Sequence, residues 1–429
     1  MKKRWVAACA FVVFVSTGYR LTSQDDGKVP EKVLHRPSPI PDRIILTWAD
    51  EPSSTQTVTW RTDTSVSKAA GEIAEAEDGP GFVKKARQFP AAMESFESDL
   101  NQANYHSITF RGLKPNTQYV YRVGNGANWS EWNQFRTAAA GPAPLEFIYV
   151  GDAQTNIWDL WSRLIRQGYT EAPKTRFIIH AGDLVNRAHR DAEWGEWHLA
   201  AGWINRSIPS VPAPGNHEYG GRRLAPHWRP QYTLPQNGLP DLAETNYFYD
   251  IQGVRVVVLN SNVQREQQAE WLNKLLANNP SKWTVATFHH PIFSSARGRD
   301  NKELREVWQP IFDKYRVDLV MTGHDHTYAR TNLVTGTNVQ SGKAGTVYVV
   351  SVSGPKMYKL ERNDRMQRAA QDTQLFQVVR IDGDKLVYES RTARGVLYDS
   401  FELQKRRGQA NKLINRVPSI PERLGNVTD

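Results

Sequence analysis

Hydrophobic and polar positions along the chain follow two different textures. In the first, RIILTWADEPSSTQTVTWRT (residues 43–62) sets two strand-like runs around a polar turn cluster. YHSITFRGLKPNTQYVYRVGNGANWSEWNQFRTA (residues 105–138) repeats the pattern, with Pro115-Asn116-Thr117 as a turn and Tyr119, Tyr121 and Val123 alternating. Short strands separated by turn signals predict an antiparallel sandwich of about 100 residues. From Leu145 the second texture begins. LEFIYVGD, RFIIHAGD, VRVVVLNSN, WTVATFHHP and VDLVMTGHDH are apolar, β-branched runs that each end in polar residues. Between them, WDLWSRLIRQG and QQAEWLNKLLANN carry apolar residues at helical spacing. Strands buried on both faces and alternating with helices predict an α/β domain. In such sheets ligands gather at the carboxyl ends of the strands.

The two ends of the chain read differently. Met1-Lys2-Lys3-Arg4 is basic, WVAACAFVVFV is apolar, and Ser16-Thr17-Gly18 offers small residues for cleavage. That order predicts a signal peptide over residues 1–24 and export to a periplasmic or extracellular space. An uncleaved membrane anchor is the alternative; after cleavage no stable membrane insertion is expected. A polar, proline-rich linker (25–40) then leads to the sandwich (41–140), the α/β domain (141–405) and a basic polar tail (406–429). The single cysteine, Cys9, lies in the apolar leader, so the mature chain would rely on its core or on bound metal rather than on disulfides. The formal charge of +9 fits either a solvated basic surface or a cleft that attracts anions. With no basic stripe interleaved with aromatics, nucleic acid is not a favoured partner.

Five strand-end clusters supply candidate chemistry. They are Gly151-Asp152, Gly182-Asp183 with Asn186, Gly215-Asn216-His217-Glu218, His289-His290-Pro291, and Gly323-His324-Asp325-His326. Each alone is an ordinary turn. Together they offer carboxylates, an amide and imidazoles, the mixed oxygen and nitrogen set that suits Zn, Mn or Fe. The glycines let the backbone turn sharply and carry each side chain over the sheet edge.

GLKPNTQYVYRVG with its following Trp129-Ser130 resembles a fibronectin type III domain. The strand-end clusters resemble the calcineurin-like metallophosphoesterases. PAPGNHEY, HWRPQYTLP and GHDHTYAR bring the chain closer still to the purple acid phosphatases. The resemblance implies two metal ions about 3.5–4 Å apart, bridged by Asp183. It places Asp152 and His326 on one ion and Asn216, His289 and His324 on the other. It further implies attack on a phosphate ester by metal-activated hydroxide, with His217 protonating the leaving group. Glu218 is a partner that would orient His217 or raise its pKa, or else a surface ion pair. His290 would support the site or line the cleft, Asp325 would stand behind the ligands, and His180 is either a buried core histidine or an orienting one. His35, His106, His189, His198 and His227 match no ligand position.

The chain also departs from the purple pattern. Asn186 stands where that family has its metal-binding tyrosine, and Gln154 stands where generic relatives have a histidine. The first ion therefore lacks its usual third protein ligand, leaving Asn186, Gln154 or water to fill the place. Without a phenolate, ferric iron is less favoured. A phosphate-contacting histidine is also missing after HHPIFSS, where Arg297 and Arg299 are either substitutes or solvated loop charges. The expected function is an exported dinuclear phosphoesterase acting on phosphomonoesters. A phosphodiesterase with the same metal core, and a non-catalytic protein that binds a phosphate ligand, are the alternatives.

Overall fold

The computed structural model describes residues 27–336 and 344–425. The predicted signal peptide falls outside the described residues. No helix among those described is long and apolar enough to cross a membrane.

Residues 42–136 form the expected sandwich of two four-stranded antiparallel sheets. One sheet runs Asp42–Thr47, Thr55–Thr62, Gln102–Arg111, Ala92–Glu97; the other runs Arg87–Pro90, Ala70–Glu75, Gln118–Gly124, Asn133–Arg136. Alternate residues point inward, so Val58, Trp60, Phe110, Tyr121 and Val123 meet in a core of their own. The sandwich docks on the second domain through buried charge. Arg43 binds Asp191 with both guanidinium arms (2.6 and 2.8 Å), and Arg61 joins Asp191 (3.3 Å) to Asp42 (2.7 Å). Removing one member of such a buried network costs about 3–5 kcal/mol, because the other charges stay behind unpaired.

The α/β domain stacks two seven-stranded sheets. In the first, the parallel strands Ser210–Ala213, Ile178–Ala181 and Leu145–Val150 continue into the antiparallel strands Leu375–Asp382, Lys385–Thr392, Leu397–Gln404 and Lys412–Asn415. In the second, Val254–Val258, Trp283–Thr287, Leu319–Thr322 and Val347–Val350 run parallel, flanked by antiparallel strands on both edges. One hydrophobic core joins the facing sides of both sheets, from Phe147, Ile179 and Val211 to Val256, Val285 and Met321. The helix Arg265–Ala277 realises the second periodic segment, packing with Lys302–Tyr315 on the outer face of the second sheet. The first periodic segment begins as a π-helical turn, Ile157–Trp161, before the α-helix Ser162–Glu171.

Two boundaries differ from expectation. The tail is not free: Lys412–Asn415 adds an edge strand to Leu397–Gln404, and Leu413 and Ile420 pack on the main core. Its two apolar residues are too few to register as a strand among basic neighbours. The linker likewise carries a helical turn at Glu31–Leu34, and His35 is buried against Gly195.

Candidate metal centre

All six expected ligands sit just beyond the carboxyl ends of parallel strands. Asp152, Asp183 and Asn216 follow strands of the first sheet, while His289, His324 and His326 follow strands of the second. The stacking of the sheets therefore brings residues from five loops to one point. Four of the six hold a left-handed backbone: Asp152 (φ 56°), Asp183 (51°), His324 (76°) and His326 (49°). Such conformations cost about 1–3 kcal/mol each and persist where surrounding structure enforces them. Gly323 allows a close approach. A Cβ there would lie 2.4 Å from Asp152 Oδ2 and 2.9 Å from the Ala181 carbonyl.

The ligand atoms form two groups, Asp183 with His289 and His324, and Asp152 with Asp183 and His326, each gathered within 4.8 Å. Asp183 belongs to both. At the first group, His289 Nε2 faces three acceptors at once: Asp183 Oδ2 (3.2 Å), Asn216 Oδ1 (3.0 Å) and His324 Nδ1 (3.1 Å). Asn216 Oδ1 is also 2.9 Å from His324 Nδ1. A single proton serves one such pair, whereas a cation among the four atoms satisfies them all. The donor set thus fits a metal ion of the Zn, Mn or Fe type.

Backbone partners set the histidine tautomers. His289 Nδ1 donates to the Ala181 carbonyl (2.9 Å) and His326 Nδ1 to the Lys356 carbonyl (3.0 Å), which turns each Nε2 toward the carboxylates. Asp152 accepts from the His324 N–H at 2.9 and 2.8 Å, and Asp183 Oδ1 from the His217 N–H at 2.9 Å. Burial lowers His326 to about 3, and burial reinforced by His289 lowers His324 as well, so both rings are neutral and offer lone pairs. Burial also acts against charge on His289, yet Asp183 and Asp152 raise it to about 9. Burial raises Asp183, but His289 and His217 overcome this and hold its carboxyl below the ordinary range. The Asp183 and Asp152 carboxylates that raise His289 would also favour a cation beside it.

The supporting residues correct several expectations. Glu218 does not touch the His217 ring and is no surface ion pair. It is fully buried, and its carboxylate accepts from the N–H groups of Asp183 (2.9 Å), Leu184 (2.9 Å) and Gly215 (2.6 Å), tying two ligand loops together. Burial, then Asp183, push it up to about 7. The orienter of His217 is the Asn186 carbonyl, 2.6 Å from Nδ1, which leaves Nε2 facing Asp183 Oδ2 at 3.9 Å. Asn186 therefore enters the site through its backbone. Gln154 enters through its side chain: fully buried, it donates from Nε2 to Asp183 Oδ2 (2.7 Å).

His290 bonds Ser261 Oγ (2.8 Å), with its ring 4.3 Å from that of His324. Asp325 accepts from the Ser295 N–H (2.6 Å) and faces Arg299 (3.5 Å). Arg299 donates to the His324 carbonyl (3.0 Å), so its guanidinium braces the ligand loop. Arg297 makes only a backbone bond to Lys359 and stays exposed. His180 packs beside the stacked Trp161 and Trp197 with Nε2 unpaired among the described residues, a core histidine and not an orienter. Reading the sequence missed Lys356 and Tyr358 in the GPKMY loop, although Gly354-Pro355 after an apolar run was a strand-end signal of the same kind.

Beside the centre lies a groove of about 730 Å³, lined in part by Tyr219, Arg222, Arg229, Asn262 and Arg265. Tyr219 follows Glu218 directly, and Asn262 donates to the carbonyl of Pro214 (3.1 Å), so the groove wall and the Asn216 loop are continuous.

Two family models match the chain: the purple acid phosphatase N-terminal domain over residues 41–137 and the calcineurin-like phosphoesterase over residues 145–328. The chain therefore carries a purple acid phosphatase-like pairing, that N-terminal domain followed by a calcineurin-like phosphoesterase domain. Among similar proteins, an uncharacterized Mycobacterium tuberculosis protein is 28% identical over 338 residues, covering 68% of this chain and 62% of its own length. The chain thus spans less than two thirds of that relative. A probable purple acid phosphatase of Arabidopsis thaliana is 23% identical, covering 86% of this chain and 84% of its own. The human acid phosphatase type 7 is 25% identical, covering 69% and 72%. Purple acid phosphatase PPD1 from yellow lupin shares the fold, with a TM-score of 0.74 at 19% identity over 85% of this chain and 74% of that one.

Proposed function

We propose that the chain hydrolyses phosphomonoesters with two metal ions that share Asp183. The observation that carries this reading is the position of Asp183, common to both ligand groups, with the His217 Nε2 atom 3.9 Å away. Asp152 and His326 would hold one ion, and Asn216, His289 and His324 the other. When bound, such ions acidify water and neutralise phosphate charge. The remaining work falls to the chain. His217 keeps its Nδ1–H on the Asn186 carbonyl, so Nε2 carries a proton only in the imidazolium form. That form would give the Nε2 proton to the leaving oxygen as the P–O bond breaks, leaving the neutral ring. Glu218 holds the loops of Asp183 and Asn216 in fixed relation, and the adjoining groove gives room for a leaving group. The leader-like N-terminus supports export, which the mature N-terminus read by mass spectrometry would test.

The test compares hydrolysis of an aryl phosphate, a bis-aryl phosphate and both again with metal-stripped protein. Faster turnover of the monoester, lost on stripping and restored by metal, is expected. Faster turnover of the diester would make the protein a phosphodiesterase. No turnover of either ester by metal-loaded protein would make it a binding protein.

A further inference from the structure

The loop Gly354–Tyr358 is built onto the metal centre. A Cβ at Gly354 would lie 2.0 Å from the Asp152 carbonyl, so only glycine lets the loop pass this close. The Lys356 carbonyl accepts from His326 Nδ1 (3.0 Å), and the Tyr358 N–H donates to the His326 carbonyl (3.2 Å). Tyr358 packs its ring 4.7 Å from that of His326. Two contacts then fix where the Lys356 ammonium goes. It is 3.4 Å from Gln154 Oε1 and 5.4 Å from the Tyr358 ring centre. Gln154 reaches in turn to Asp183 Oδ2 at 2.7 Å. A positive charge thus stands one side chain away from the carboxylate common to both ligand groups.

The neighbouring cations are occupied otherwise. Arg299 faces Asp325 and the His324 carbonyl, and its guanidinium lies over the same Tyr358 ring at 4.7 Å. Lys356 has no described carboxylate within 4.0 Å, and its residue is only partly buried. Holding an ammonium beside a candidate cation site is unfavourable by Coulomb repulsion unless an anion joins both. A phosphoryl group is such an anion: its several oxygens can face the metal side and the lysine together.

We propose that Lys356 binds a non-bridging phosphate oxygen of the substrate at the Asp152–Asp183–His326 side of the centre. It takes the place of the histidine contact missing after HHPIFSS, and supplies the cationic group that Arg297 and Arg299 do not. This inference rests on the phosphoesterase reading of the site.

The test is the dissociation constant of inorganic phosphate, measured by calorimetry on protein purified with its metals, with metal content determined in the same samples. Lys356→Gln should keep its metals and weaken phosphate by about 10- to 100-fold, the loss expected for a charge-assisted hydrogen bond. Lys356→Arg, which keeps the charge, should recover most of the affinity. Phosphate affinity in Lys356→Gln within twofold of wild type would overturn the inference while leaving the phosphoesterase reading intact. So would a loss of metal from that variant that accounts for the weaker binding. Absence of phosphate binding by metal-loaded wild-type protein would instead remove the reading on which the inference stands.

Discussion

Gly323→Ala adds one methyl group at a tightly packed point of the centre. Its Cβ would lie 2.4 Å from Asp152 Oδ2 and 2.9 Å from the Ala181 carbonyl, against an ordinary contact of 3.4 Å or more. The Asp152 carboxylate would have to retreat by about 1 Å, the difference between those contacts. It has no room to do so freely, because Asp152 is fully buried and both its oxygens accept from the His324 N–H. Shifting the other way moves the Ala181 carbonyl, which orients His289. Either adjustment displaces a ligand. Overpacking of this kind costs about 1–3 kcal/mol, and a 1 Å misplacement in a site costs about 10²-fold in rate. Metal analysis and aryl phosphate turnover, run beside a urea melt, would read all three effects. A variant with full metal content and turnover within threefold of wild type would refute this account of the packing.

His217→Ala should retain metal while turnover falls by about 10²–10⁴-fold, and less for esters with good leaving groups; an equal defect across leaving groups would remove the proton-donor role. Asn186→Tyr should give iron-loaded protein a visible charge-transfer band that wild type lacks, since Tyr219 is engaged by Asn260 (2.6 Å) and Tyr328 by Asp399 (2.7 Å); a coloured wild type would contradict this ligand assignment. Burial lowers His180 to about 3 in the folded state, below the unfolded value of 6.5. Only the unfolded chain takes up that proton between these values, so stability is full above pH 6.5 and falls as pH drops toward 3. Between pH 6.5 and 4.5 the loss is about 2–3 kcal/mol at 1.36 kcal/mol per unit. In metal-free protein His180→Leu should be spared that increment, and urea melts with parallel pH dependence in both proteins would refute it.

Much of this centre was legible because its chemistry lies at strand ends. Each apolar run that stopped in Gly-Asp, His-His or Gly-His announced a sheet edge, and parallel strands bring such edges together. Legibility failed where a residue acts through its backbone. The sequence shows Asn186 in a tyrosine's place but not that its carbonyl holds His217, and it shows Glu218 beside His217 but not that the carboxylate turns back to four N–H groups. Lys356 lies more than 170 residues after Asp183, and only the fold brings its loop to His326. The edge strand Lys412–Asn415 was hidden for a simpler reason: its position depends on pairing with Leu397–Gln404, not on an apolar pattern of its own.

The proposed function turns on one carboxylate, that of Asp183, serving two ions. The direct measurement is metal stoichiometry of wild-type protein and Asp183→Ala, purified identically and checked for folding by circular dichroism. Two equivalents in the wild type and nearly none in the variant are predicted, because each ligand group loses its shared oxygen donor. Two equivalents retained by folded Asp183→Ala would contradict the bridge, and with it the placement of the catalytic centre.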